Sequence, residues 1–174
     1  MKKALILLVL ASISITTIHA QMADSVKTYL IRDFTRAKAY TQSYLDAMPA
    51  DKYSFRPTDS VRTFAQQMLH LADGTFFLGS YATGVPVPRK DYEHMKDQGK
   101  DSVVAAVNAA YDYILNALKN TDPASLLTVA KMGNNSFSKL VWYNKTFEHQ
   151  THHRGQTTIY IRMAGFKPPQ ERLF

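Results

Sequence analysis

Apolar positions recur along most of this chain at three- and four-residue steps, the spacing that keeps side chains on one face of a helix. Val26, Tyr29, Leu30, Phe34, Ala37, Tyr40, Tyr44, Leu45 and Met48 make one such stripe, which ends near Pro49 and contains Asp33. A linker over 49–59 follows, in which Arg56 stands before Pro57 and is pushed toward extended backbone. A second helix is predicted from about Ser60, with Phe64, Met68, Leu71, Thr75 and Leu78 on one face and a stop near Gly84-Val85-Pro86. A third is predicted from about Asp97, using Val103, Val104, Val107, Tyr111, Ile114, Leu115 and Leu118, and is closed by Asp122-Pro123. Between 124 and 138, Leu127, Val129 and Met132 alternate with smaller residues ahead of Gly133-Asn134-Asn135, a pattern that fits a loop or a short hairpin. The last helix runs from about Lys139 to Ala164, where Gly165 stops it and Pro168-Pro169 prevents its resumption. Four amphipathic helices joined by loops of unequal length describe an all-α, four-helix bundle.

The first twenty residues follow a different pattern. Lys2 and Lys3 precede the apolar run Ala4 to Ile15, and Thr16 and Thr17 lead to a small residue at Ala20. This is the layout of a secretory signal peptide (1–20), so the expected mature domain is 21–174, periplasmic or secreted, without stable membrane insertion after cleavage. The 174 residues carry a formal net charge of +7, and loss of Lys2 and Lys3 with the leader lowers it to +5. The basic residues are spread over the whole length with no Lys/Arg block, which argues against a nucleic-acid partner.

The chain has no cysteine. Disulfide frameworks, thiolate metal sites, Fe–S clusters and thiol nucleophiles are thereby excluded, and any metal must be held by nitrogen or oxygen. Beyond the leader lie five histidines, His70, His94, His149, His152 and His153. His149 and His153 are four apart, so their rings leave one face of the last helix a turn apart, a spacing that lets two imidazoles share one ion. At about 100° per residue, Trp142, His149, His153, Gln156, Tyr160 and Met163 share a sector with almost no charge, which is expected to face the bundle interior. Arg154 and Arg162 fall on the other side, suited to surface or dimer contacts, and His152 points about 100° away from His153. His70 lies on the flank of the second helix's stripe with Gly74 one turn on, leaving room for a ring. It is either a third ligand from a facing helix or a core imidazole bonded to a tyrosine or a carbonyl.

The metalloprotease pattern His-Glu-Xaa-Xaa-His fails here, because His149-Gln150-Thr151-His152-His153 puts Gln150 where the glutamate belongs. Nucleophile elbows, P-loops and dinucleotide fingerprints are missing as well.

The run Glu148-His149-Gln150-Thr151-His152-His153-Arg154-Gly155-Gln156, followed by Tyr160-Ile161-Arg162-Met163-Ala164-Gly165 and Pro168-Pro169, resembles the last helix and tail of the DinB/YfiT-like family. Met48-Pro49, Tyr53-Ser54-Phe55-Arg56-Pro57 and Gln67-Met68-Leu69-His70-Leu71-Ala72 resemble that family's first linker and second helix. The resemblance implies a four-helix bundle with an unusual crossover connection, often a homodimer, that holds a divalent metal through three histidines. By position these are His70, His149 and His153. It also implies a small-molecule substrate and either metal-dependent hydrolysis or transfer to a low-molecular-weight thiol. Gln156 and Tyr160 share the metal-facing sector and are candidates for orienting a substrate, or else pack within the core. Imidazole suits zinc, nickel and iron alike, so the metal is not specified. A non-catalytic binding bundle is the alternative, expected to close the site with a fourth protein ligand.

Overall fold

The computed structural model describes residues 2–87 and 91–174, with side chains from Ala20 onward. Its elements are α1 (Lys2–Ala47), α2 (Phe64–Thr83), α3 (Lys100–Asn120), a hairpin of β1 (Val129–Met132) and β2 (Asn135–Ser138), and α4 (Lys139–Met163). The expected all-α bundle is present, and the ambiguous stretch before the last helix is the two-stranded hairpin. Val129 pairs with Ser138 and Met132 with Asn135, across a turn in which Gly133 takes φ 56°. The side chains of the expected leader fall outside the described residues up to residue 19, while its backbone continues α1 back to Lys2. Among the described residues no helix is long and apolar enough to cross a membrane.

Helix boundaries follow from capping. α2 starts at Phe64, four residues later than its apolar spacing suggests, because Thr63 caps it. The Thr63 hydroxyl accepts from the Gln66 N–H at 3.1 Å, and the Gln66 side chain accepts from the Thr63 N–H at 3.0 Å. The linker is tied to this end by Phe64 N–H donating to Phe55 O and Ala65 N–H donating to Tyr53 O. Gly84, at φ 72°, ends the helix in the left-handed conformation that the sequence anticipates. α3 likewise begins late, at Lys100, because Asp97 is used outside the helix, accepting from the Gly99 N–H at 2.9 Å. α4 finishes with Gly165 at φ 91° and a Phe166 N–H donating to Ile161 O at 2.9 Å, which recaptures a carbonyl that the helix end leaves free.

Around the bundle, α1 packs on α3 and α4, and α2 packs on the same two, most extensively on α4. The circuit is therefore α1–α3–α2–α4, with consecutive helices α1 and α2 on a diagonal. The core between them is built from Phe34, Leu45, Met48, Phe64, Met68, Leu69, Leu71, Ile114 and Leu118, all fully buried. Each such side chain contributes roughly 1.5–3 kcal/mol of burial free energy. Tyr29, placed in the α1 stripe by spacing, is instead exposed.

The interior face of α4 differs from the sequence reading. It consists of Trp142, Tyr143, Thr146, Gln150, Arg154, Thr157, Tyr160 and Ile161, whereas Gln156 and Met163 are exposed. Arg154, expected on the outside, is 5% exposed, donates to Gln150 Oε1 at 2.9 Å and lies over the Tyr40 ring at 4.5 Å. Gln150 Oε1 also accepts from Tyr111 at 2.7 Å, and the Tyr111 hydroxyl shares a 2.7 Å hydrogen bond with Thr41. A polar seam thus runs through the middle of the bundle. Apolar periodicity misplaces the face because half of its members are polar, Gln150 and Arg154 bonded to each other and Thr146 and Thr157 donating to the Trp142 and Arg154 carbonyls.

Candidate metal centre

His70 is carried by α2 and His149 and His153 by α4, the most closely packed pair of helices. The geometry brings all three together. Ring centroids are 5.4 Å apart for His70 and His149, 4.5 Å for His70 and His153, and 4.4 Å for His149 and His153. One nitrogen of each ring lies within 4.8 Å of the others. Nitrogens sharing a tetrahedral ion at about 2.0–2.1 Å stand about 3.4 Å apart, so modest rotamer adjustment suffices. The cluster sits on the flank of the buried α4 face, half-buried, and not in the bundle axis.

Close approach of the helices depends on Gly74. A β-carbon there would stand 2.0 Å from His149 Cε1 and 2.4 Å from its Nε2, so the His149 ring occupies the space that any other residue would fill.

Two of the three rings are held through Nδ1. His70 Nδ1 lies 2.6 Å from Glu93 Oε2. A carboxylate can only accept, so Nδ1 carries the proton and Nε2 keeps its lone pair. Gln67 Nε2 lies 2.8 Å from His153 Nδ1; an amide nitrogen only donates, so Nδ1 accepts here and the neutral ring carries its proton on Nε2, and an ion at Nε2 requires the Gln67 amide to turn its oxygen toward Nδ1. His149 Nδ1 is buried without a hydrogen-bond partner. An ion is a partner that such an orphaned imidazole nitrogen can use, so the donor set fits a divalent metal.

Electrostatics agree with that chemistry. Burial, followed by the neighbouring His70 and His152, pushes the His149 ring down to about 4. Burial, then His149, His70 and His152, pushes His153 down to about 3. Both are neutral at pH 7, as metal ligands must be. Burial opposes the charge of Glu93, but hydrogen bonds from Arg62 (2.6 Å) and His70 outweigh it and hold the carboxyl below its usual value.

Gln156 is exposed at the edge of the cluster, with its amide against that of Gln67 and its nitrogen donating to His152 Nε2 at 3.1 Å. Tyr160, one turn further along, is buried, and burial raises its hydroxyl. His152 is exposed and meets His153 edge to face at 4.9 Å, outside the three-nitrogen cluster. His94 is exposed and paired with Asp91. Glu93, Arg62 and Gln67 escaped the sequence reading. Glu93 sits in the loop between α2 and α3, where no periodicity applies, and its contact with His70 spans 23 residues.

A cleft of about 560 Å³ opens beside His149. Leu78 of α2, Met132 and Phe137 of the hairpin and Trp142 of α4 form its walls, and the Lys145–Glu148 ion pair (2.7 Å) lies on its rim.

A family model described as the DinB superfamily matches residues 33–157. Among solved structures, a DinB-like protein from Bacillus cereus aligns with a TM-score of 0.73 and 18% identity, covering 82% of this chain and 95% of that one. A DinB-like protein from Bacillus subtilis aligns at 0.66 with 14% identity, covering 83% and 99%. A conserved protein from Enterococcus faecalis aligns at 0.57 with 15% identity, covering 78% and 94%. No curated protein matches significantly. At these identities the structural likenesses speak for the fold.

Proposed function

The chain belongs to the DinB superfamily, and on that footing we propose that it is an exported metal-dependent enzyme acting on a small molecule through a divalent ion held by His70, His149 and His153. The observation that carries this reading is the convergence of His70 from α2 with His149 and His153 from α4, one nitrogen from each within 4.8 Å of the others. Among the described residues no fourth His, Asp or Glu joins the cluster. Such a site keeps a position for substrate or water, which favours catalysis over simple metal storage.

The chemistry that a zinc, nickel or iron ion supplies in such a site is Lewis acidity toward a bound oxygen or sulfur atom. The remaining work falls to the chain. Glu93 keeps the proton on His70 Nδ1, and Gln67 engages His153 Nδ1. The cleft beside His149 offers Leu78, Phe137 and Trp142 to an apolar substrate body, with Lys145 and Glu148 for polar groups. Gln156, exposed at the edge of the cluster, is placed to orient a substrate; Tyr160, one turn on, is the second candidate.

Export through the leader 1–20 favours hydrolysis over thiol transfer, because reduced thiol cosubstrates are scarce outside the cytoplasm. A homodimer in the periplasm or medium completes the reading, checked by light scattering on the mature chain.

Elemental analysis of protein purified without chelators tests the metal site. About one equivalent of a divalent transition metal is expected, falling to background in His149→Ala and His153→Ala. Metal content unchanged in both variants overturns the reading.

A further inference from the structure

The loop between α2 and α3 is anchored to α2 at several points. Asp73, three residues after His70, accepts the Tyr92 N–H through Oδ1 at 3.0 Å and the Glu93 N–H through Oδ2 at 2.7 Å. One turn on, the Phe76 ring stacks on Tyr92 with centroids 5.3 Å apart and planes 10° from parallel. The Glu93 backbone is thereby fixed above the same helix that carries His70. Its side chain is gripped at both oxygens: Oε1 accepts from Arg62 Nε at 2.6 Å, and Oε2 accepts from His70 Nδ1 at 2.6 Å. A carboxylate bonded to Nδ1 stands on the far side of the ring from Nε2, so Glu93 is not itself placed among the ligand nitrogens.

We propose that Glu93 is a positioning residue of the three-histidine site, holding His70 in the tautomer and orientation that present Nε2 to the ion. A neutral imidazole free in water favours its proton on Nε2, which would block that nitrogen, and the ring can rotate. The Glu93 contact removes both freedoms, and Asp73, Arg62 and Phe76 in turn keep Glu93 from swinging away. Partners of this type orient a ligand and raise its basicity, and their loss typically weakens metal binding about 10- to 100-fold. The inference rests on the metal reading above, but its first consequence is visible without any metal.

The test uses the mature chain in two measurements. Long-range proton–nitrogen NMR spectra of the metal-free protein report the tautomer of each histidine. His70 is expected with its proton on Nδ1 in the wild type and to lose that preference in Glu93→Ala. Zinc affinity, from competition with a chromophoric chelator, is expected to fall about 10- to 100-fold in Glu93→Ala. In Glu93→Gln the amide oxygen can still accept from Nδ1, so the tautomer is retained and the loss is smaller. Should Glu93→Ala fail to fold, Glu93→Gln carries the test, because a weaker neutral acceptor must still lower affinity measurably. A His70 proton on Nε2 in the wild type, or zinc affinity unchanged in both variants, overturns the proposal. A wild type that binds no zinc, but whose His70 tautomer is fixed by Glu93 and released by Glu93→Ala, overturns the metal reading alone and supports the Glu93 contact.

Discussion

Gly74 and Gly155 are both helical glycines, yet the structure gives them opposite roles. A β-carbon at position 74 meets the His149 ring at 2.0 Å, whereas one at position 155 meets nothing within 4 Å. Gly74→Ala is expected to displace His149 and abolish zinc binding, measured by chelator competition, and to lower the thermal midpoint. Gly155→Ala should raise stability by up to about 1 kcal/mol, because it reduces the freedom of the unfolded chain without a clash, and leave zinc affinity intact. The histidines predict a second residue-level behaviour. In the unfolded chain they take up protons near 6.5, but in the folded, metal-free protein His149 does so only near 4 and His153 near 3. Between those values the unfolded state binds more protons, so stability is fully present above about 6.5 and is lost as pH falls toward 4 and below. Thermal unfolding in chelator across this window should show the midpoint falling with acid, and the slope should be shallower in the His149→Ala/His153→Ala double variant.

Among the elements, α4 is the one whose inward face is set by hydrogen bonds as much as by apolar contact. Gln150 Oε1 receives both Tyr111 and Arg154, and no carboxylate pairs with Arg154 among the described residues. Gln150→Leu strips the acceptor from a buried cation and should cost about 3 kcal/mol in urea unfolding. Tyr111→Phe leaves that cation its amide and should cost only about 1 kcal/mol. The same seam explains what the sequence could disclose. Helices α1, α2 and α3 bury mainly apolar residues, so their stripes were readable from spacing, with starts displaced only where Thr63 or Asp97 competed for the backbone. On α4 the buried set includes Thr146, Gln150, Arg154 and Thr157, and a count of apolar residues turned the helix toward its exposed Gln156 and Met163. The clustering of the three histidines is legible despite this, because the i, i+4 spacing of His149 and His153 does not depend on which face is innermost, and because Gly74 leaves space for a ring. Glu93 was invisible, since a loop carboxylate gains meaning only from the helix on which it lands.

At the scale of the molecule, the first buried side chain of α1 among those described is Leu30, ten residues past the expected cleavage point at Ala20. A chain starting at Gln21 keeps every buried side chain among the described residues and should still unfold in one cooperative thermal transition, and mass spectrometry of the exported protein should find Gln21 at its N-terminus. The circuit α1–α3–α2–α4 places α2 beside α4, although the hairpin and the whole of α3 separate them in sequence. An ion shared by His70 and His149 would consequently act as a removable cross-link between distant parts of the chain. Ring closure on the scale of a hundred residues is worth on the order of 4–5 kcal/mol when a covalent bridge makes it. If the leader directs export as its layout predicts, this cysteine-free protein would gain from a reversible coordination bond the tether that proteins of an oxidising compartment obtain from disulfides, with chelator in place of reductant as the agent that opens it.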